Sequence, residues 1–290
     1  MKFSAAYGPG KFGLSFELFP PKTPQGEGTL FEHVARLVKF QPQMITCTYG
    51  AGGSTRDTTL GIVARVRREF KLPVATHLTC VGSTVDQLRD YLRRSEGEGV
   101  ENVVALRGDP PRGDATFRPV PGGLSYANEL VSLIRGEFPR FDIAVAGYPE
   151  THQEAPNPEV DLRNLKRKVD AGADVVITQL FYDNADFFEF RARCDAIGIR
   201  VPIVPGLLPI TNFAQIKRIT ALCGAKLPAD LVAGLEAAGD DAVRQFELGV
   251  EFATRQSEEL LAAGVPGIHF YVLNRSEAAA RVLGQLSLAR

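Results

Sequence analysis

Glu17 stands where an ionised carboxylate is costly. It lies in the apolar run Leu14-Ser15-Phe16-Glu17-Leu18-Phe19, which stops at Pro20-Pro21, and a double proline can neither donate to a strand ladder nor continue one. Loss of hydration between Phe16, Leu18 and Phe19 is expected to raise the Glu17 pKa toward neutrality unless a cation compensates. A carboxyl held near neutral pH at a strand end suits general acid chemistry; a Glu turned to solvent is the plainer alternative. Arg107-Gly108-Asp109 follows Val103-Val104-Ala105-Leu106, and its glycine lets the backbone approach a planar ligand, unless the Arg and Asp merely lock the loop. His77 is either a ligand contact or a barrel histidine satisfied by a neighbour. Gly50-Ala51-Gly52-Gly53-Ser54-Thr55 precedes a helical pattern, so its amides suit an anion or a flat ligand; an ordinary flexible loop reads the same. The helix start Asp161–Lys168 suits a phosphate or ribose, or is a solvated basic face.

Other chemistries find no residues. No lysine ends a strand candidate, which argues against Schiff-base and pyridoxal enzymes. No His-x-His follows the first strand, and His77 and His152 lack a neighbouring carboxylate array, so no metal is expected. Neither a dinucleotide-binding GxGxxG nor a P-loop is present. With 33 basic against 34 acidic residues, neither a nucleic acid nor a membrane surface is an expected partner. The absence of a span-length apolar stretch and of a signal-peptide order points to a cytoplasmic protein. Cys47, Cys80, Cys194 and Cys223 lie far apart and read as buried structural thiols.

The elements that must hold these groups alternate along the chain. Strand candidates are Leu14–Phe19, Met44–Tyr49, Val74–Cys80, Asn102–Arg107, Asp142–Tyr148, Asp174–Phe181, Pro202–Leu208 and Ile268–Leu273. Amphipathic stretches separate them: Thr29–Phe40, Asp57–Phe70, Val85–Glu98, Ser125–Phe138, Val160–Ala171, Ala185–Ile197 and Phe213–Leu222. A short and a long helix are expected between Leu227 and Ala263, and Ser276–Leu286 closes the chain. The pattern predicts one (β/α)8 barrel domain over residues 1–290, with a doubly wound open sheet as the alternative. Polar side chains at the strand ends would then share the carboxyl-end rim, where barrel chemistry gathers. Residue physics thus predicts a polar-headed, partly charged small ligand and one buried acid.

The motifs go further. Phe16-Glu17-Leu18-Phe19-Pro20-Pro21-Lys22, Thr48-Tyr49-Gly50-Ala51, His77-Leu78-Thr79-Cys80, Ala105-Leu106-Arg107-Gly108-Asp109, Ala146-Gly147-Tyr148-Pro149-Glu150, the run Asn164 to Ala173, Ile177-Thr178-Gln179 and His269 to Arg275 together resemble the methylenetetrahydrofolate reductase family. The resemblance runs in order along nearly the whole chain. It implies a (β/α)8 flavoprotein that binds FAD at the rim and takes hydride from NADH or NADPH. The hydride passes to 5,10-methylenetetrahydrofolate, giving 5-methyltetrahydrofolate for one-carbon metabolism and methionine biosynthesis. Glu17 is the implied proton donor, and Asp109 the implied carboxylate beside flavin and pterin. Gln179, Gln215 and Arg275 are the implied folate contacts. Thr48, Tyr49, Ala51, His77, Arg107, Gly108, Asp109, Tyr126, Ala127, Tyr148, His152, Asp161, Asn164, Arg167 and Lys168 fall on implied FAD-binding positions. A homo-oligomer is implied too, and the catalytic domain alone, without the regulatory domain of the animal enzymes. Two features depart from the pattern: Ile219 replaces an aromatic residue frequent in bacterial relatives, and Arg112–Gly123 is long. The first leaves a second reading open, a reductase subunit fed electrons by a partner redox protein. A silent folate- or flavin-binding subunit is disfavoured by the intact Glu17.

Overall fold

Short runs rich in β-branched and aromatic residues become strands, and their register closes a ring. The computed structural model describes residues 1–48, 55–110 and 116–288. Its strands are β1 (Gly13–Leu18), β2 (Met44–Cys47), β3 (Val74–Thr79), β4 (Asn102–Leu106), β5 (Asp142–Gly147), β6 (Val175–Thr178), β7 (Ile203–Val204), β8 (Gly206–Leu207) and β9 (Gly267–Tyr271). All pairings between these strands are parallel; β1 pairs with β2 and β9, β7 with β6, and β8 with β9. The expected seventh strand is therefore split at Pro205, which has no N–H to donate. The Pro205 carbonyl still accepts from the His269 N–H at 2.9 Å, so this segment completes an eight-position barrel.

The helices are α1 (Phe3–Ala6), α2 (Pro24–Leu37), α3 (Arg56–Phe70), α4 (Val85–Gly97), α5 (Ala127–Glu137), α6 (Pro158–Asp170), α7 (Asn184–Ala196), α8 (Phe213–Cys223), α9 (Ala229–Ala238), α10 (Ala242–Ala262) and α11 (Glu277–Gln285). The extra α9 and long α10 before the last strand, and the closing α11, match expectation. Helix α2 starts earlier than its apolar periodicity suggests. Thr23 caps it by accepting from the Gly26 N–H at 3.1 Å, and Pro24 occupies the first turn, where a missing N–H costs nothing. No helix among the described residues is long and apolar enough to cross a membrane.

Each strand is buried on both faces, which removes the polar alternation of a half-exposed strand. Leu14, Phe16, Ile45, Leu78, Val103, Ile143 and Val176 face outward into the cluster shared with the helices. Met44, Ala75, Val104, Ala144, Val175, Ile177 and Val204 face inward and pack with Phe3, Ala6 and Tyr7. Helix α1, which hydrophobic patterning did not reveal, thus plugs the amino-terminal mouth of the barrel. Two polar strand starts hold it there: Asn102 accepts from the Phe3 N–H at 2.8 Å and Asp142 from the Ser4 N–H at 2.9 Å. Above this apolar floor the interior turns polar.

Candidate active site

Strand register carries Glu17 inward. It is level with Thr46 on β2 and Tyr271 on β9, so all three side chains point into the barrel. Two imidazoles meet the carboxylate: His77 Nε2 stands 3.1 Å and His269 Nε2 3.5 Å from Glu17 Oε2. Glu17 is only 7 % exposed. Burial pushes its pKa up, but the two imidazoles, His77 chiefly by charge and His269 chiefly by hydrogen bonding, outweigh burial and hold it at about 2. The expected rise toward neutrality is therefore corrected. The sequence reading allowed for a compensating cation, and β3 and β9 supply two candidates from far along the chain. The His77 contact is close but poorly aligned, and among the described residues neither ring nitrogen of His77 has a hydrogen-bond partner. A buried imidazole with an idle Nδ1 next to a carboxylate is equipped to exchange a proton with a ligand or with that carboxylate.

A second group of predicted residues collects on the rim beyond β4, β5 and α6. Arg107 does not pair with Asp109 across Gly108. It makes a two-pronged bond to Glu154, with Nη1 and Nη2 donating over 2.6 and 2.7 Å. The Glu154 N–H donates to His152 Nδ1 at 3.1 Å, and the His152 N–H to Asp161 at 3.0 Å. The His152 ring meets Tyr148 edge-on, 4.6 Å between centroids. Lys168 Nζ donates to the Ala146 carbonyl at 2.5 Å and lies 5.8 Å from the Tyr148 ring centre. Burial lowers the Lys168 pKa to about 8, against the pull of Asp161. Arg107, Tyr148, His152, Asp161 and Lys168 therefore form one connected patch. Glu154 joins them without having been singled out in the sequence.

The remaining predicted residues scatter around this frame. Gly108 has φ +88°, and an added Cβ would sit 2.6 Å from Val81 Cγ1, so the turn requires glycine. Asp109 is exposed just beyond it. Thr48 follows β2, and its carbonyl accepts from Thr59 Oγ1 at 2.8 Å; Tyr49 and Ala51 lie outside the described residues. Tyr126 is exposed and caps α5, and Ala127 begins that helix. Asn164 and Arg167 pair with each other at 3.1 Å on the exposed face of α6. Gln179 continues β6, its N–H donating to Gly147 at 2.8 Å. Gln215 and Ile219 line a shallow cleft with Leu208 and Leu273 at the ends of β8 and β9. Arg275 is exposed, while its neighbour Asn274 bonds both the N–H and the carbonyl of Phe19 at 2.8 Å, tying the ends of β1 and β9 together. Sequence reasoning missed the inward role of His269, Tyr271 and Thr46. Alternation along an established strand register would have found them, but alternation alone does not say which face is the lumen.

The donor set fits a flat, anionic cofactor such as FAD. Half-buried Lys168 and Arg107 offer cations, Tyr148 a ring, and His77 a buried nitrogen without a hydrogen-bond partner among the described residues. Among the described residues no cluster of His, Cys, Asp and Glu has the make-up of a metal site.

Comparison with known proteins shows the family and the fold. A family model for methylenetetrahydrofolate reductase matches residues 2–287. The chain is 42% identical over 291 residues to a methylenetetrahydrofolate reductase (NADH) of Arabidopsis thaliana, covering 96% of this chain and 49% of that protein. It is 41% identical over 268 residues to 5,10-methylenetetrahydrofolate reductase of Escherichia coli, covering 92% and 88%. The chain thus spans about half the length of the plant relative and most of the bacterial one. Among solved structures, a Clostridium thermocellum protein that binds two copies of 5-methyl-5,6,7,8-tetrahydrofolic acid superposes with a TM-score of 0.62. That likeness covers 94% of this chain and 93% of the other at 16% identity, and shows the fold. The chain belongs to the methylenetetrahydrofolate reductase family.

Proposed function

We propose that the protein reduces 5,10-methylenetetrahydrofolate to 5-methyltetrahydrofolate at the expense of NADH or NADPH, with FAD held on the carboxyl-end rim. The observation that carries this reading is Glu17, buried inside the barrel and flanked by two imidazoles at 3.1 and 3.5 Å. Bound FAD would supply the hydride relay between the nicotinamide and the one-carbon unit of the folate. In this reading Lys168 and Arg107 face the cofactor's anionic part, and Tyr148 and His152 shape the wall beside it. Glu17 delivers a proton to the folate nitrogen that leaves the bridging carbon. The five-membered ring opens, the carbon becomes an iminium on the other nitrogen, and that carbon accepts the hydride. Because Glu17 is a carboxylate when no ligand is present, the proton must first reach it, and His77 is the adjacent group able to bring it. Asp109, Gln179, Gln215 and Arg275 surround the mouth and are assigned to folate. The chain acts as one catalytic barrel domain of a cytoplasmic homo-oligomer.

A second reading rests on Ile219, an aliphatic side chain in the rim cleft beside Gln215. It offers a nicotinamide no ring to stack on and favours a partner redox protein as electron donor. One anaerobic experiment tests both. Purified protein is expected to be yellow and to release FAD on denaturation, NADH or NADPH to bleach it, and 5,10-methylenetetrahydrofolate to restore the colour. Bleaching by dithionite but by neither nicotinamide, followed by recovery with folate, selects the partner-fed reading. A colourless protein that takes up no FAD ends both.

A further inference from the structure

The plug helix and the acid are joined by an unbroken polar chain through the otherwise apolar lower barrel. The Tyr7 hydroxyl donates to Ser15 Oγ at 2.6 Å, Ser15 Oγ meets His269 Nδ1 at 2.7 Å, and His269 Nε2 faces Glu17 Oε2 at 3.5 Å. Tyr7 and His269 are each 1 % exposed and Ser15 is 0 % exposed. The strands are shaped to admit the phenol ring. A Cβ on Gly267 would sit 2.7 Å from Tyr7 Cε1, and one on Gly13 would come closer still. Two strands therefore begin with glycine where Tyr7 enters.

Proton counting gives the chain a direction. A phenol and a serine hydroxyl each carry one proton to donate. Burial raises the Tyr7 pKa well above the ordinary phenol range, so Tyr7 stays a donor, and among the described residues its only hydroxyl partner is Ser15. Ser15 Oγ accepts that proton and must give its own to His269 Nδ1. His269 Nδ1 is then the bare nitrogen, and Nε2 carries the hydrogen toward Glu17. Reversing the chain would strand the phenolic proton of Tyr7 in the core without an acceptor, at about 1–3 kcal/mol.

We propose that Tyr7 is a positioning residue which, through Ser15, fixes His269 as the neutral Nε2–H tautomer and so makes it a permanent hydrogen-bond donor to Glu17. The two imidazoles then differ in kind. His269 cannot take up a proton unless Ser15 and Tyr7 both turn, whereas His77, with no ring nitrogen hydrogen-bonded among the described residues, is left as the exchanging partner. Of the other titratable groups that feel the Glu17 charge, the Tyr271 phenol and the Cys47 thiol are both pushed further toward their neutral forms by burial and by that charge, so neither competes for the proton. The proposal rests on Glu17 being the proton donor only for its consequence in turnover; the tautomer itself does not depend on that reading.

The test is nitrogen NMR of the full chain carrying ¹⁵N-labelled histidine, with the His269 signals assigned by substituting His33, His77 and His152 in turn. Wild type at neutral pH is expected to show His269 with a bare, hydrogen-bonded Nδ1 and a protonated Nε2. Tyr7→Phe keeps the ring that fills the plug and should convert His269 to a tautomer mixture or an imidazolium; Ser15→Ala should do the same should Tyr7→Phe fail to fold. In the loaded enzyme Tyr7→Phe should slow the folate step roughly tenfold, about one hydrogen bond's worth, with FAD binding and nicotinamide oxidation unchanged. A wild-type His269 protonated at Nδ1, or variants whose His269 signals match wild type, overturn the proposal. A protein with no folate activity but the expected tautomer shift would overturn only the functional reading.

Discussion

Two carboxylates in this barrel have depressed pKa values for opposite purposes. Glu154 on the rim is held down by the Arg107 guanidinium, which grips it with two bonds and is itself raised. Glu154 is about half exposed, at 51% of its side-chain surface. Glu17, 7 % exposed, is held down against a larger burial penalty by His77 and His269. A guanidinium never gives up its proton in a protein, so the Arg107–Glu154 pair can only form or part. An imidazole can both take up and release a proton, so the Glu17 nest can pass a proton without moving a chain segment. In the proposed function the rim holds an anion and the interior trades a proton, and the identity of the partner side chain makes that difference.

The largest effect is expected where that trade is blocked. Glu17→Gln retains the size of the side chain but cannot release a proton at neutral pH. Stopped-flow measurements should find nicotinamide oxidation and FAD binding near wild type, with the folate half of the reaction slowed by about 10²–10⁴. Loss of both halves together would make Glu17 a structural residue and erase the contrast with Glu154.

The same nest should leave a mark on stability. The folded value of about 2 lies below the ordinary 4.5, so the contribution is intact above about pH 4.5 and disappears as pH falls through about 2. The stability of wild type should fall as pH drops across that window, by an amount on the order of a few kcal/mol. Glu17→Gln should flatten the fall. Identical acid profiles for the two proteins would mean that the imidazoles do not hold the carboxylate down.

The two regions were not equally legible in the sequence. The rim patch was readable because Arg107, Gly108, Tyr148 and His152 close or follow strands within quotable motifs, and because the barrel pattern places strand ends together. Its lock was not, since Glu154 sits in a loop whose direction no periodicity encodes. For the interior, Glu17 announced itself by its apolar flanks, but its partners come from strands β3 and β9, and only the ring closure brings these beside β1. The pKa expectation failed for that reason: desolvation is a local property of the sequence, and compensation is not. Helix α1 escaped because four residues (Phe3–Ala6) are too few to show a period, and its role depends on a barrel mouth that exists only after folding.

A smaller effect is expected where the rim's backbone is forced. Gly108→Ala places a side chain at φ +88° with Val81 Cγ1 at 2.6 Å. A non-glycine residue in such a conformation costs roughly 1–3 kcal/mol, so thermal unfolding should shift downward while the Glu17–His77 pair on β1 and β3 stays intact. Unchanged stability would show that the turn can relax and that Arg107 and Asp109 are not fixed by it.

The smallest effect on stability belongs to the lock itself. Glu154→Gln removes the charge facing Arg107 but keeps the backbone N–H that donates to His152. A pair this exposed contributes at most about 1 kcal/mol, so the melting curve should barely move. Arg107, relieved of its carboxylate partner, should then be more available to an anionic cofactor. FAD affinity is expected to rise, and the rise should shrink as salt is added, because screening weakens an exposed ion pair. Titration of the cofactor-free protein with FAD at low and high salt measures this directly. Unchanged affinity at every salt concentration would mean that Arg107 and Glu154 bind the cofactor as a unit, so that the rim, like the interior, works through a matched pair.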